Sequence, residues 1–155
     1  MNKRLIGIDM GGTTIKIAFL SWEGEVLAKW EIPTNTANKG ESILSDIATS
    51  IHEKIAEMGL TITDFKAAGV GVPGPVQLKV GYLPIAVNLG GFGDVNINEA
   101  LGKLLGLPVI TDNDANVAAL GEMWLGSADG SDNVVFFTLG TGVGGGIITN
   151  GQIIS

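Results

Sequence analysis

The chain has 155 residues, of which 45% are hydrophobic, so it can bury the core of one ordinary domain. Its net charge of −7 argues against a nucleic-acid-binding protein, and the absence of cysteine excludes disulfides and thiolate metal sites within these residues. No apolar run is as long as a membrane span and the first ten residues lack a secretory signal pattern, so we expect a cytoplasmic protein with neither nucleic acid nor membrane as a partner.

The first thirty residues predict an antiparallel meander. Strands are expected over 3–9, 14–21 and 25–33, because apolar residues alternate or cluster there. Short turns, at the sequence MGGTT and at Glu23-Gly24, separate these strands. Sequential strands with such short connections pair with their neighbours in an antiparallel sheet.

A helix is expected next, over about 41–58. Apolar residues recur along one face of it at helical spacing: Ile43, Leu44, Ile47, Ile51, Ile55 and Met58. Gly59 is the expected stop after this helix. His52, the only histidine, lies beside the apolar face, and we interpret it as a surface or boundary residue.

The middle of the chain predicts one buried strand and one short helix. The sequence AAGVGVPG, at 67–74, is typical of a buried strand that runs into a Pro-Gly-Pro turn. Residues 81–95 are expected to be irregular. Asn96 and Glu99 have the spacing of a capping box, which predicts a short helix that ends near Gly106.

The last third begins with a buried strand over 107–112. It runs directly into Asn113-Asp114, which opens a predicted helix over 114–125. A polar joint at 126–132 follows, and residues 133–154 predict a closing hairpin that starts a new sheet.

The closing hairpin contains the spacing G-x-G-x-x-G at Gly140, Gly142 and Gly145, which is the fingerprint of dinucleotide-binding proteins. That fingerprint requires a strand before it and a helix after it. Here two β-branched runs separated by Asn150-Gly151 follow, which is a hairpin signal. The loop is therefore predicted to join strand to strand, and a Rossmann fold is excluded.

The sequences IDMGGTTIK and TLGTGVGGGII are two glycine turns that suit phosphate binding. Glycine lets a backbone approach phosphate oxygens, successive N–H groups form an anion nest, and the hydroxyls of Thr13, Thr14 and Thr141 add donors. Asp9, at the end of the first strand, is a candidate Mg²⁺ ligand through water. Glycine also serves in ordinary tight turns, but two such turns, each bracketed by buried strands, favour a nucleotide clamp.

Four Asx residues fall within five positions at the junction of a buried strand and a helix: Asp112, Asn113, Asp114 and Asn116. Ligands sit at the carboxyl ends of strands in open α/β sheets. A helix N-cap needs only one Asx residue. The excess favours a functional site centred on Asp114.

Five motifs, GIDMGGTTIKIA, GVGVPGPV, VNLGG, DNDANVAALGE and TLGTGVGGGII, together resemble the ROK family of sugar kinases, most closely its bacterial glucokinases. They occur in the family's order from Leu5 to the end of the chain. The resemblance implies an α/β fold of the actin-like ATPase type, which is ribonuclease H-like and shared with hexokinases and Hsp70 chaperones. It implies an amino-terminal actin-like domain over 1–130 and the first strands of a second such domain over 131–155.

The resemblance also implies a role for each matching residue. Asp114 matches the general base that takes the proton of the sugar hydroxyl as this hydroxyl attacks the γ-phosphoryl group of ATP. Residues that match the family's sugar-binding positions are Pro73, Gly74, Asn88, Asn113 and Asp114. Residues that match its Mg-ATP-binding positions are Asp9, Gly11, Gly12, Thr13, Thr14, Lys16, Gly140, Thr141, Gly142 and Gly144.

The implied reaction is ATP- and Mg²⁺-dependent phosphorylation of a hexose, with glucose favoured. Fructose and N-acetylmannosamine kinases share these motifs and stay open as alternatives, as does polyphosphate as the phosphoryl donor. A non-catalytic sugar- or nucleotide-binding regulator is the further alternative. The family's repressors carry a helix-turn-helix before the first strand, and here that strand starts at about Lys3, which argues against a repressor.

The resemblance covers about half of a family member. The family continues with an E-x-G-H segment that holds the sugar and with a Cys-rich zinc motif, neither of which occurs in these residues. We therefore expect a fragment with little kinase activity by itself, and zinc only in the downstream half.

The isoleucine-rich strands of 133–155 predict association between copies of the chain, because unpaired strand edges pair with other strands. We expect the isolated chain to form a homodimer or to aggregate. Light scattering coupled to size-exclusion chromatography measures this directly. A monomer across a wide concentration range contradicts the prediction.

Overall fold

The computed structural model of the chain describes residues 3–21, 25–74, 76–77, 80–113, 134–139, 143–149 and 152–154. It divides into two compact units, Met1–Asp112 and Asn113–Ser155. The predicted domain boundary between residues 130 and 131 lies outside the described residues and stays a prediction, as does the predicted helix over 114–125.

The described strands and helices follow each other in the order typical of an α/β protein. The strands are β1 (Arg4–Met10), β2 (Thr14–Leu20), β3 (Val26–Pro33), β4 (Phe65–Val72), β5 (Tyr82–Ala86), β6 (Phe92–Asn96), β7 (Val109–Asn113), β8 (Val134–Leu139), β9 (Val143–Thr149) and β10 (Gln152–Ile154). The helices are α2 (Ile43–Glu57) and α3 (Ile97–Leu105), with short 3-10 turns at Ile62–Asp64 and Val87–Leu89. A short turn, labelled α1 (Ala37–Gly40), precedes α2, and its residues Asn38 and Lys39 have non-helical backbone angles.

The first unit is built on a sheet whose described strands lie in the order β3-β2-β1-β4-β7. The first three strands form the predicted antiparallel meander, in which Ile17 lies opposite Ile8 on one side and opposite Trp30 on the other. β4 instead pairs with β1 in parallel, with Val70 beside Ile8. Because β1 and β4 are parallel, their carboxyl ends lie at the same edge of the sheet.

Strand alternation buries one face of this sheet. The buried residues on β1, β2 and β4 are Ile6, Ile8, Met10, Ile15, Ile17, Phe19, Phe65, Ala68, Val70 and Val72. Helix α2 contributes most of the predicted apolar face to the same core, from Ile43 to Ile55. Met58 is the exception. It is 38% exposed, because the helix ends at Glu57 and Met58 is its C-cap.

Helix α3 has the predicted limits. The side chain of Asn96 accepts a hydrogen bond from the backbone N–H of Glu99 at 3.0 Å, and Gly106 ends the helix with a φ of 76°. A contact between helices involves His52, which is exposed on α2 and whose Nε2 lies 3.0 Å from the carbonyl oxygen of Leu104. This agrees with its interpretation as a surface residue.

The prediction of an irregular segment over 81–95 is wrong. β5 and β6 form an antiparallel pair there, with Leu83 opposite Val95 and Ile85 opposite Gly93. The glycines of this segment weaken the strand pattern in the sequence. Gly93 is needed for a different reason, since a Cβ at this position would lie 2.5 Å from the Cα of Ile85.

The second unit contains an antiparallel sheet in the order β10-β9-β8 among its described strands. Val135 on β8 lies opposite Ile147 on β9, and Ile148 on β9 lies opposite Ile153 on β10. The glycine segment 140–142 thus connects two antiparallel strands. The exclusion of a Rossmann fold is therefore confirmed.

No helix in the described part of the chain is long and apolar enough to span a membrane.

Thr111 provides a test of this packing. It is fully buried on β7, and among the described residues its hydroxyl has no hydrogen-bond partner. An unpaired buried polar group costs about 1–3 kcal/mol. We expect Thr111→Val to raise the free energy of unfolding by about 1 kcal/mol, measured by urea denaturation.

Thr34→Val is the matched control for this exchange. The Thr34 hydroxyl donates a hydrogen bond of 2.7 Å to the carbonyl oxygen of Gly11, so the same change should lower stability. Equal shifts in one direction for both variants would contradict the assignment of the unpaired hydroxyl.

Candidate active site

The turn between β1 and β2 is held by its own backbone. The N–H of Gly11 donates to the carbonyl oxygen of Thr14 at 3.0 Å. A Cβ at Gly11 would lie 2.6 Å from that oxygen, a separation that side chains do not adopt. Neither Gly11 nor Gly12 has a positive φ. These glycines are therefore required by space and not by backbone conformation. We call residues Gly11–Thr14 the phosphate turn.

Thr34 holds the phosphate turn from the end of β3. Its N–H donates to the carbonyl oxygen of Thr13 at 2.9 Å, and its hydroxyl donates to that of Gly11 at 2.7 Å. Sequence reasoning missed this residue, because no local pattern relates Thr34 to a turn that lies on the other side of two strands. A threonine directly after a strand that ends in proline was its only signal.

Asp9 and Lys16 place opposite charges on one exposed face beside the phosphate turn. They lie directly opposite each other across the β1–β2 ladder, and both are exposed. On the other side of Asp9, β4 contributes Gly71, which has no side chain. The Asp9 carboxylate is exposed near the carboxyl end of β1.

This arrangement fits a hydrated magnesium ion. Within the described residues there is no group of three or more His, Cys, Asp or Glu side chains that would enclose a metal. Magnesium keeps several waters and is commonly held by one or two carboxylates together with substrate phosphates. A single exposed carboxylate next to a glycine turn agrees with that mode of binding.

Asn88 lies in contact with the phosphate turn. It is exposed within the 3-10 turn Val87–Leu89, which the buried side chain of Leu89 anchors in the core. The Asn88 carbonyl oxygen lies only 2.7 Å from the position that a Cβ would take at Gly12. The structure therefore brings a predicted sugar-binding residue and a predicted phosphate-binding residue side by side.

Pro73 and Gly74 follow β4 directly, at the sheet edge where β1 also ends. Gly74 has a φ of 96°, and a Cβ there would lie 3.7 Å from the carbonyl oxygen of Ile85. Ile85 belongs to β5, the strand that leads into the turn with Asn88. The two predicted sugar-binding segments of the first unit, Pro73-Gly74 and the turn with Asn88, are thus both neighbours of β5.

The remaining predicted site residues are less completely described. Asn113 is the last residue of β7. Gly144 lies on β9, opposite Thr138 on β8. Four residues lie outside the described part of the chain: Asp114, Gly140, Thr141 and Gly142. Their roles stay predictions.

Among the described residues, Tyr82 is the one whose pKa the structure clearly shifts. Its hydroxyl donates to the Asp94 carboxylate at 2.8 Å, on the β5–β6 pair. This hydrogen bond, together with desolvation and the negative charge of Asp94, raises the pKa of Tyr82 above its ordinary value. The phenol stays protonated and continues to act as a donor at neutral pH.

Three antiparallel strands, a parallel fourth strand and a glycine turn between the first two belong to an α/β fold of the actin-like ATPase type, which the chain shares with its structural neighbours. The comparison with family models is more specific. The model of the ROK family matches residues 5–155, and the chain belongs to this family.

Known relatives agree with this assignment. The chain is 46% identical over 149 residues to a glucokinase of Halalkalibacterium halodurans, which covers 96% of the chain and 45% of that glucokinase. The crystal structure of a ROK hexokinase from Thermus thermophilus matches with a TM-score of 0.84 and 32% identity, over 97% of the chain and 48% of the hexokinase. A ROK glucokinase from Streptomyces griseus in complex with glucose and AMPPNP matches with a TM-score of 0.77 and 32% identity, over 97% of the chain and 46% of that enzyme. The chain thus spans about half the length of these relatives.

The contact between Gly12 and Asn88 predicts that Gly12 accepts no side chain. Gly12→Ala would bring a methyl group to 2.7 Å from a backbone oxygen, so either the phosphate turn or Asn88 must move. We expect the free energy of unfolding to fall by about 1–3 kcal/mol, as measured by urea denaturation.

Gly69→Ala is the matched control on β4. A Cβ at Gly69 meets nothing within 4 Å, so this variant should keep nearly the wild-type stability. Equal stability of the two variants would show that Gly12 and Asn88 are not in close contact.

Proposed function

We propose that the whole protein phosphorylates a hexose, with ATP as the donor and with Mg²⁺. The contact of Gly12 with Asn88 carries this proposal, because it sets a candidate phosphate site directly beside a candidate sugar site. Phosphoryl transfer demands little covalent chemistry from a protein. Its catalysis comes mainly from positioning and from charge stabilisation, which such a pair of adjacent sites supports.

In the first unit, the phosphate turn receives the phosphates of ATP. Gly11 and Gly12 let the backbone come close, Thr13 and Thr14 supply hydroxyl donors, and Lys16 supplies a positive charge on the same exposed side. Asp9 holds Mg²⁺ through water. When bound, the ion neutralises charge on the phosphoryl oxygens. In the second unit, the corresponding contacts are assigned to Gly140, Thr141, Gly142 and Gly144.

On the sugar side, Asp114 is the proposed general base. It accepts the proton of the attacking hydroxyl, for which the carboxylate must come within about 2.6–3.2 Å of the hydroxyl oxygen. Asn113 binds a sugar hydroxyl, and Pro73, Gly74 and Asn88 line the pocket. The neighbourhood of Gly74, Ile85 and Asn88 in the structure supports a common sugar pocket.

Glucose is the proposed acceptor and ATP the proposed donor. Both are supported by the similarity to the Halalkalibacterium glucokinase and to the Streptomyces enzyme complexed with glucose and AMPPNP. Fructose, N-acetylmannosamine and polyphosphate are the competing substrates in the same assay. The homodimer and the cytoplasmic location stay predictions.

A titration of the 155-residue chain tests the two sites without requiring turnover. We expect Mg-ATP to shift the backbone amide resonances of the phosphate turn, and glucose to shift those of Asn88 and its neighbours. A chain that responds to neither ligand contradicts the assignment of the two ligand sites to these residues. A response to ATP alone supports a nucleotide-binding regulator in its place.

Asp114→Asn tests the general base in a protein of the relatives' full length that carries these residues. The amide cannot accept the proton, so we expect turnover to be abolished while glucose binding largely persists. A coupled assay of hexose phosphorylation and a glucose titration measure the two effects. Retention of even a tenth of the wild-type rate would show that Asp114 is not the base.

A further inference from the structure

The segment Thr34–Gly40, between β3 and α2, ends in an unusual backbone conformation. Asn38 (φ 52°, ψ 45°), Lys39 (φ 59°, ψ 32°) and Gly40 (φ 72°) form three successive left-handed residues. Glycine adopts this region freely and asparagine tolerates it, whereas lysine does so only with strain. A strained residue persists where its surroundings determine its conformation, so the contacts of this turn are informative.

Two of these contacts link the turn to the residues that follow it in the chain and to the start of β6. The side-chain amide of Asn38 donates to the Glu41 carboxylate at 3.0 Å. Gly40 is buried, and a Cβ there would lie 2.6 Å from Cδ1 of Ile43 and 3.1 Å from Cβ of Phe92. The turn is therefore pressed between the start of α2 and the start of β6.

The other contacts are to the sugar loop, which we define as Asn88–Gly91. A Cβ at Gly90 would lie 2.7 Å from Cβ and 3.0 Å from the carbonyl oxygen of Thr36. A Cβ at Gly91 would lie 4.0 Å from Cγ of Lys39. The segment thus packs along consecutive residues of the sugar loop, immediately beside Asn88.

The opposite end of the same segment touches the phosphate turn. Thr34 donates one hydrogen bond from its N–H to Thr13 and one from its hydroxyl to Gly11. A single stretch of seven residues therefore contacts both candidate subsites, with Thr34 on one and with Thr36 and Lys39 on the other.

We propose that Thr34–Gly40 is a positioning element: Thr34 sets the phosphate turn, and Thr36 together with the left-handed turn at Asn38–Gly40 sets the sugar loop. This proposal rests on the proposed function for the identity of the two ligands. Its residues act through Gly11, Thr13 and Gly90–Gly91 and are not assigned to touch substrate. Precise support of this kind matters because small displacements of positioning groups lower phosphoryl-transfer rates strongly.

Two variants at the exposed residue Lys39 test the end of the segment that contacts the sugar loop. They should change the stability of the chain in opposite directions. Lys39→Gly removes the strain and keeps the turn, whereas Lys39→Val places a β-branched residue at a φ that such residues avoid. Both lose the lysine charge and its flexible chain, and residue 39 is exposed, so a difference between them reports mainly the backbone preference of residue 39. We expect Lys39→Gly to raise Tm by about 2–4 °C and Lys39→Val to lower it.

Amide hydrogen exchange measures the local stability of the sugar loop in the absence of any ligand. The N–H groups of Gly90 and Gly91 are hydrogen-bonded, to the carbonyl oxygens of Val87 and Ala86, so their protection is measurable. We expect Lys39→Val to speed their exchange about fivefold or more, Lys39→Gly not to speed it, and neither to change the exchange of Gly11. Equal exchange of Gly90 and Gly91 in both variants overturns the proposal.

A matching pair of variants at Thr34 tests the end of the segment that contacts the phosphate turn. Thr34→Val removes the hydroxyl donor, and Thr34→Ser restores it. We expect Thr34→Val to speed the exchange of the Gly11 amide and to weaken Mg-ATP binding, with recovery in Thr34→Ser and no change at Gly90 or Gly91. Loosening of both subsites by either Thr34→Val or Lys39→Val indicates general structural damage and overturns the division of roles.

Ligand titrations separate this proposal from the proposed function. Where the wild-type chain binds glucose, Lys39→Val should weaken that binding about fivefold or more and leave the affinity for Mg-ATP within about twofold. A wild-type chain that binds neither ligand contradicts the assignment of the two ligand sites to these residues. The exchange measurements still decide whether Thr34–Gly40 positions the two loops.

Discussion

The candidate site depends on the close approach of two backbones at Gly12. Because Gly12 has no Cβ, the carbonyl of Asn88 can lie against the phosphate turn with no side chain between them. Attack of a hydroxyl on a phosphoryl group requires the two reactants within about 3–3.5 Å of each other. A site of this kind therefore has to bring its sugar-binding and phosphate-binding segments together. Here the absence of a side chain at Gly12 allows the two candidate segments to lie in contact.

The approach is possible because rigid elements carry both segments. The phosphate turn joins β1 and β2 in the middle of the sheet, and the buried faces of these strands belong to one continuous core. The turn with Asn88 follows β5 and is anchored by Leu89, which is fully buried in the same core. Loops supported in this way can combine exposure to ligand with a defined position.

The electrostatics of the first unit suit a phosphate ligand in an acidic protein. The net charge of −7 would repel a nucleotide at long range. Close to the turn, the exposed side chain of Lys16 offers a positive partner, and the exposed carboxylate of Asp9 suits a cation that accompanies phosphates. The proposed binding of phosphate would depend on local geometry more than on overall charge.

The sequence by itself determined the meander, the limits of α3, the strand-to-strand character of the second glycine turn and the family resemblance. These features follow from local periodicity, caps and glycine spacing, which a chain displays without its partners. Only the tertiary structure decided that β4 pairs in parallel with β1, that β5 and β6 form a ribbon, that Asn88 touches Gly12, and that Thr34 holds the phosphate turn. The reason is that most of these contacts join residues far apart in the chain, through backbone atoms or through the absence of a side chain, whereas the glycines of the β5–β6 segment weaken its strand pattern. Such contacts leave no periodic signal in the sequence.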